Sequence, residues 1–241
     1  SEMCIRDRST STPTVYNGRA YVGVSGVGQF KAYSGHNITV IDLPSWRIAY
    51  TVRTQGYPQT SALLTTAYEA ETGYVCLYFF DNYTPGKLRM LRDKPGQTAP
   101  ETTEVETVVA GGKIVSYDTA PVLFTPSGAQ QQYAICSPIT DESGAIYFKN
   151  DSAYLMALTS TVTRLEIAAA PAKTVYRPGE SFDPAGMQVL AHYANGYVRD
   201  VTKYVTWDAA PLTEESSRFR IEFPYAMYQN ADGETGVACV K

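Results

Sequence analysis

Short runs in which apolar and polar residues alternate, broken by Gly, Pro, Asn and Asp, recur along the whole chain, and a period of two predicts β-strands. Val15-Tyr16 and Arg19-Ala20-Tyr21-Val22-Gly23 flank Asn17-Gly18, a pair suited to a two-residue hairpin turn because both positions take a positive φ. Ile38-Thr39-Val40-Ile41-Asp42 follows as a further strand. Tyr74-Val75-Cys76-Leu77-Tyr78-Phe79-Phe80 and Lys87-Leu88-Arg89-Met90-Leu91 pair through a turn at Pro85-Gly86, and Gly144 to Leu158 reads as a hairpin turning at Asn150-Asp151. In the last third, Leu165-Glu166-Ile167 predicts a strand, Val189, Ala191 and Tyr193 alternate toward one face, and Asn195-Gly196 marks a second type I′ hairpin. The stretch Thr213 to Ser217 is irregular and predicts a loop. Long helices are not expected.

Three stretches, Ser11 to Asp42, Ser61 to Arg92 and Ser137 to Leu158, share a layout. Each opens on a Ser followed by small apolar residues, then a turn with Gly, an aromatic-rich strand and a second alternating strand. Small antiparallel sheets repeated every ~40–45 residues are the sequence sign of propeller blades. Thr103 to Gln132 breaks the spacing and is where a degenerate blade is expected. Gly144 to Leu158 resembles the pyrroloquinoline-quinone-like propeller repeat, whose blades read as a Gly, an apolar-Tyr strand, a polar turn and a strand ending in Ala-Leu. Val40-Ile41-Asp42, with Trp46 and Tyr50, resembles that family's blade-closing motif, an Asp before a Gly and then a Trp that packs between blades. Trp46 stands in the Gly place and Tyr50 in the Trp place, a departure that counts against family-type docking there and against a bound quinone.

About 150 residues make three or four blades, where closed propellers have four to eight. The expected architecture is all-β: a partial, truncated β-propeller over 9–161 and a C-terminal immunoglobulin-like β-sandwich over 162–241. Isolated Ser9 to Thr161 is expected to associate through whichever of Tyr74, Leu77, Phe79, Phe80, Ile146 and Phe148 faced a missing blade. Truncation is also suggested by Met3-Cys4-Ile5-Arg6-Asp7-Arg8, which resembles a translated transposase mosaic-end adapter from sequencing libraries. Residues 1–8 are therefore expected to be an artefact that packs against nothing in particular, with a signal peptide and further domains lying upstream.

From Val162 the character changes. Ala168-Ala169-Ala170-Pro171-Ala172-Lys173 is a small-residue connection, and evenly spaced short strands follow it, which argues a β-sandwich able to fold alone. Lys173, Tyr176, Gly179-Glu180 and Phe182-Asp183, the strand from Gly186 through Met187 and Val189, Asn195-Gly196 and Val201-Thr202 together resemble the bacterial immunoglobulin-like domain of group 3. That resemblance covers most of 162–241.

The length of 241 residues fits two unequal domains, each with a core, and the 19 Tyr, 18 Gly and 14 Pro suit many strands joined by turns. A net charge of -4 without any Lys/Arg run offers phosphates nothing to neutralise, so nucleic acid is not an expected partner. No apolar run approaches the ~18–20 residues of a membrane span.

Candidate chemistry is thin. His36 and His192 lie in different proposed domains without a partner at metal-ligand spacing and are expected at a surface or strand edge. Gly23, Gly26 and Gly28 superficially resemble a phosphate loop, but no helix follows them. Asp81, Asp93, Asp141 and Glu142 sit in predicted turns, where solvated carboxylates are ordinary; the alternative is a pair that acts as acid and base. With Cys4 set aside, Cys76, Cys136 and Cys239 cannot all pair and read as buried free thiols. The sequons at Asn37, Asn82 and Asn150 would mark glycosylation in a eukaryotic secreted protein and are chance matches in a bacterial one. No catalytic, cofactor-binding or metal-binding residue is assigned, and no cofactor is expected. The expected function is a non-catalytic extracellular or cell-surface protein that binds an extracellular ligand, carbohydrate or protein, on its propeller, with the immunoglobulin-like module as spacer. A quinoprotein or polysaccharide-active enzyme with its catalytic blades upstream, and a purely structural stalk, are the alternatives.

Overall fold

A computed structural model describes residues 11–27, 34–110, 112–194, 196–207, 210–213, 221–222 and 237–240. Residues 1–8, Gly28, Asn195, 214–217 and the Cys239 side chain, all named above, lie outside what is described. The fold is all-β, and the longest described helix is the single turn Glu69–Thr72.

The first sheet is an antiparallel meander of β1 (Thr14–Tyr16), β2 (Arg19–Val24), β3 (Asn37–Asp42) and β4 (Arg47–Arg53) in that order. Its first turn is the type I′ hairpin expected from Asn17-Gly18, with φ of 43° and 76°. The second sheet joins β5 (Leu63–Thr65), β6 (Val75–Phe80) and β7 (Leu88–Asp93). After β7 the chain leaves as a separate hairpin, β8 (Glu104–Ala110) with β9 (Lys113–Thr119), and β10 (Val122–Phe124) returns to pair with β7. The Thr103 to Gln132 stretch is thus no degenerate blade. It is a hairpin inserted before the fourth strand of the second sheet, and the apparent break in repeat spacing is that insertion. β11 (Ile139–Thr140), β12 (Ile146–Lys149) and β13 (Leu155–Leu158) come next, their connection holding Ala153 at φ 66°.

Beyond them, β14 (Val162–Ala169), β15 (Gln188–Tyr193) and β16 (Val198–Asp200) form a three-stranded antiparallel sheet. β17 (Thr206–Trp207) and β18 (Ile221–Glu222) form a two-stranded one. β19 (Val237–Val240) is the fourth strand of the sheet ordered β11-β12-β13-β19.

The described residues cluster into two compact units. The first comprises the chain up to Ile139 with Tyr147–Met156, and the second comprises Thr140–Ile146 and the chain from Ala157 to Cys239.

In the first unit the period of two explains how the sheets stack. β6 is buried along nearly its whole length, as a strand covered on both faces must be. Val75, Leu77 and Phe79 point one way and share a core with Tyr21, Ile38, Val40, Tyr50 and Val52 of the first sheet. Phe80 points the other way, its ring 5.0 Å from that of Phe148 on β12. Four-stranded meanders stacked face to face give this unit a β-propeller-like arrangement. The expected alternation is present, except that Tyr74 precedes β6. The repeat-opening serines tie neighbouring repeats together: the Ser11 hydroxyl donates to Thr60 O at 3.0 Å, and Ser61 N–H donates to the Ser137 hydroxyl at 2.9 Å.

Two buried polar clusters lock the same face of the second sheet. At one end, the Asp93 carboxylate is fully buried and accepts from the Tyr21 and Tyr50 hydroxyls at 2.8 and 2.7 Å, with Arg19 Nε at 3.5 Å. Tyr50, in the Trp place of the blade-closing motif, therefore does dock one sheet on the next, and Trp46 is 68% exposed in a turn. At the other end, buried Arg89 donates to Asp81 at 2.9 Å, to Glu106 at 2.6 Å and to Ala120 O at 2.8 Å. Glu106 also accepts from Tyr117 and from Lys87, which fastens the inserted hairpin to the sheet. Asp81 and Asp93 were expected as solvated turn residues. Both are instead wholly buried ion-pair partners, because each closes or follows a strand at the interior edge of a stacked sheet.

The second unit packs Met187, Val189, Ala191, Val201 and Val205 with Val162, Phe182, Tyr193 and Trp207. The residues of its sequence motif make one local scaffold. The Tyr176 hydroxyl donates to Lys173 O at 2.9 Å and accepts from Asp183 N–H at 3.0 Å. Glu180 accepts from Arg177 N–H at 2.8 Å and from the Lys173 ammonium at 3.0 Å, while Gly179 N–H and Glu180 O pair with Leu212. β14 runs through Ala169, so the small-residue connection is shorter than expected.

Candidate functional site

Among the described residues, three loops of the first unit line an open cleft of about 650 Å³. Gly56, Tyr57 and Gln59 come from the connection between β4 and β5, Asn82, Tyr83 and Thr84 from the β6–β7 turn, and Tyr133 and Ile135 from the connection after β10. The loops are held by short backbone contacts. A side chain at Gly56 would place its Cβ 2.2 Å from Asn82 O, and one at Gly86 would place it 2.8 Å from Ala134 N, so only glycine allows these approaches. Tyr57 and Asn82 form an isolated antiparallel bridge, and Gly86 N–H donates to Gln132 O at 2.9 Å. The buried Asn150 amide donates to Gln130 O at 2.7 Å, which anchors the third loop.

Tyr57 is buried in the floor and stacks on His36, with ring centroids 6.1 Å apart and planes 18° apart. Tyr83, Tyr133 and Ile135 are 37, 38 and 48% exposed. Asn82 Nδ2 donates to Gln59 Oε1 at 2.8 Å, so each amide fixes the other. The Tyr133 hydroxyl bonds to Asp151, and that carboxylate raises its pKa.

The residues weighed from sequence fall elsewhere. His36 is a correction, being 1% exposed where a surface or strand edge was expected. Its Nδ1 accepts from Gly26 N–H at 2.9 Å, so the neutral ring carries its proton on Nε2, which donates to Ser34 Oγ at 3.0 Å. His192, on β15, pairs with Glu166 at 2.7 Å. Gly23 and Gly26 are close-packing positions, where a Cβ would lie 1.8 Å from Pro58 O and 1.9 Å from Ser34 O. Asp141 caps its turn through Ser143 N–H at 2.9 Å, and Glu142 is exposed. Cys76 is buried and free, burial pushing its thiol pKa up, and Cys136 is free and partly buried. Among the described residues no three His, Cys, Asp or Glu side chains are grouped to hold a metal, and no helix is long and apolar enough to cross a membrane.

Sequence reasoning passed over Tyr57, Gln59, Tyr83, Tyr133 and Ile135, and met Asn82 only as a sequon. The available signal was placement: Gly56-Tyr57-Pro58 and Tyr83-Thr84-Pro85-Gly86 put tyrosines in turns, where a strand-forming residue has no sheet to fill.

No family model matches the chain. Over 64 residues, 25% of its length, it is 41% identical to Pectate lyase L of Thermoclostridium stercorarium, and it spans 5% of that protein. Among solved structures it is similar to BamB from Moraxella catarrhalis at a TM-score of 0.28 and 11% identity, with 96% of this chain and 77% of that chain covered.

Proposed function

We propose that the chain is a non-catalytic extracellular or cell-surface binding protein. In this reading residues 9–161 belong to a pyrroloquinoline-quinone-like propeller that presents a ligand, and residues 162–241 form a bacterial immunoglobulin-like spacer of group 3. The observation that carries the reading is the preformed cleft between the sheet-connecting loops: part-exposed tyrosines and a fixed amide pair suit recognition, and its described lining holds no charged side chain to act as general acid or base. The test is a surface-binding assay of the full chain against immobilised extracellular polysaccharides and matrix proteins, with release of reducing ends followed in parallel. Saturable retention without product supports binding. Product release, or no retention on any member of the panel, overturns it.

A second reading, an accessory part of a polysaccharide-acting enzyme, is favoured by the match to Pectate lyase L. It predicts that the chain adheres to pectate, and a chain that ignores pectate in the same assay counts against it.

A further inference from the structure

We infer that the cleft between Gly56 and Ile135 takes a neutral polysaccharide, one sugar ring lying on the face of Tyr83 or Tyr133 and its hydroxyls bonding to Asn82 and Gln59. This rests on the binding reading above and adds the chemistry of the ligand.

Three features of the lining converge on an uncharged sugar. Tyr83 and Tyr133 sit on different loops of one recess and keep over a third of their surface in water. A flat apolar face beside polar groups matches a pyranose, which has one C–H face and a rim of hydroxyls. The Asn82 and Gln59 side chains spend one donor and one acceptor on each other, leaving an amide oxygen on Asn82 and an amide nitrogen on Gln59. A sugar hydroxyl both donates and accepts, so neighbouring hydroxyls satisfy both. No Lys or Arg belongs to the described lining, and Lys87, on the same turn, is engaged with Glu106. The carboxylate of Asp151, bonded to the Tyr133 hydroxyl, stands beside the recess and opposes an acidic polymer. A uronate or sulfated chain would meet one negative charge and no cation. The loops are also built for a rigid partner surface, because the glycine contacts and the Asn150 anchor fix their backbone before a ligand arrives.

Affinity electrophoresis of the full chain tests this, in gels cast with xylan, galactan or hydroxyethyl cellulose and in a gel cast with polygalacturonate. The expected result is retardation in at least one neutral gel and free migration in polygalacturonate. Tyr83→Ala with Tyr133→Ala lowers the affinity by about tenfold or more, and the double Phe variant keeps it, because stacking needs the ring and not the hydroxyl. If the double Ala variant melts early, Tyr133→Ala alone carries the comparison. Retardation only by polygalacturonate, no retardation in any neutral gel, or retardation that the Ala variants leave unchanged would each overturn the neutral-sugar assignment. These outcomes differ from failure of the binding reading itself, which shows as catalytic release of product or as no retention on any polysaccharide or protein.

Discussion

The two compact units hold themselves together differently. In the first, the polar contacts that matter join residues far apart in sequence: Tyr50 reaches Asp93, Arg19 reaches Lys94 O, and Ser61 reaches Ser137. In the second, long-range pairs such as Glu166 with His192 stand beside several between near neighbours, Lys173 to Glu180, Tyr176 to Asp183 and Thr202 to Asp200. Stacked sheets bring distant strands face to face and bury the polar groups at their ends, so those groups must find each other across the stack. A small two-sheet unit leaves more of its polar groups at the surface, where local turns satisfy them. The loops that line the cleft in the first unit are likewise held by long-range contacts, Gly86 N–H to Gln132 O and the Asn150 amide to Gln130 O, while local contacts in the second unit follow a motif that can be read from sequence.

The largest expected effect breaks the buried ion pair of the first unit. Arg89→Ala strands Asp81 without its cation, and loss of one partner of a buried pair costs about 3–5 kcal/mol. A urea titration should show the drop. The matching change in the second unit, Arg164→Ala, removes an exposed pair with Glu166 and should leave the midpoint where it was. Equal losses from the two substitutions would show that the two units do not differ in this way.

Next in size, Tyr50→Phe removes a hydrogen bond to a buried charge, an effect of about 1.5–3 kcal/mol. If thermal melts put it below a few tenths of that, Tyr50 does not dock the two sheets through Asp93.

How much of this was legible is clear from particular residues. The Asn17-Gly18 hairpin, the alternation of Leu77 and Phe79 against Phe80, and the three repeat units follow from local pattern and turn chemistry, and the structure has them. The burial of Asp81, Asp93 and His36 was not legible, because a carboxylate at a strand end looks the same whether it meets water or Arg89. Nor was the inserted β8–β9 hairpin, whose alternation equals that of a blade strand. The cleft depends on three loops separated by up to 79 positions along the chain, and no local pattern reports that they meet.

Alkaline pH acts on the first unit through its buried tyrosines. Burial pushes the pKa of Tyr78 up to about 12, and burial with the adjacent Asp93 carboxylate raises those of Tyr21 and Tyr50. A group whose folded pKa is raised stabilises the fold fully below its unfolded pKa, near 10 for tyrosine, and that contribution is lost as pH rises toward the folded value. Stability of the first unit should fall between roughly pH 10 and 12, with these tyrosines ionising only as it unfolds. Smooth titration of every tyrosine near its ordinary value, in a protein still folded, would contradict this.

The smallest effect belongs to the second unit at acid pH. Thr202 and Gln188 hold the Asp200 pKa down to about 2 by hydrogen bonding. A depressed carboxylate stabilises above its unfolded pKa near 3.9 and loses that contribution as pH falls toward the folded value. Asp200→Asn should flatten the acid limb of the melting profile between about pH 4 and 2 and change little at neutral pH.

On the proposed function, the binding surface lies on the first unit and not on the second. Hydrogen exchange of the full chain, with and without an oligosaccharide of whichever neutral polymer retards it most, reads that directly. New protection is expected in the loops 56–59, 82–86 and 130–135, with unchanged exchange over 162–207. Protection centred on Lys173 to Asp183, or none in the three loops while the sugar is bound, would contradict it.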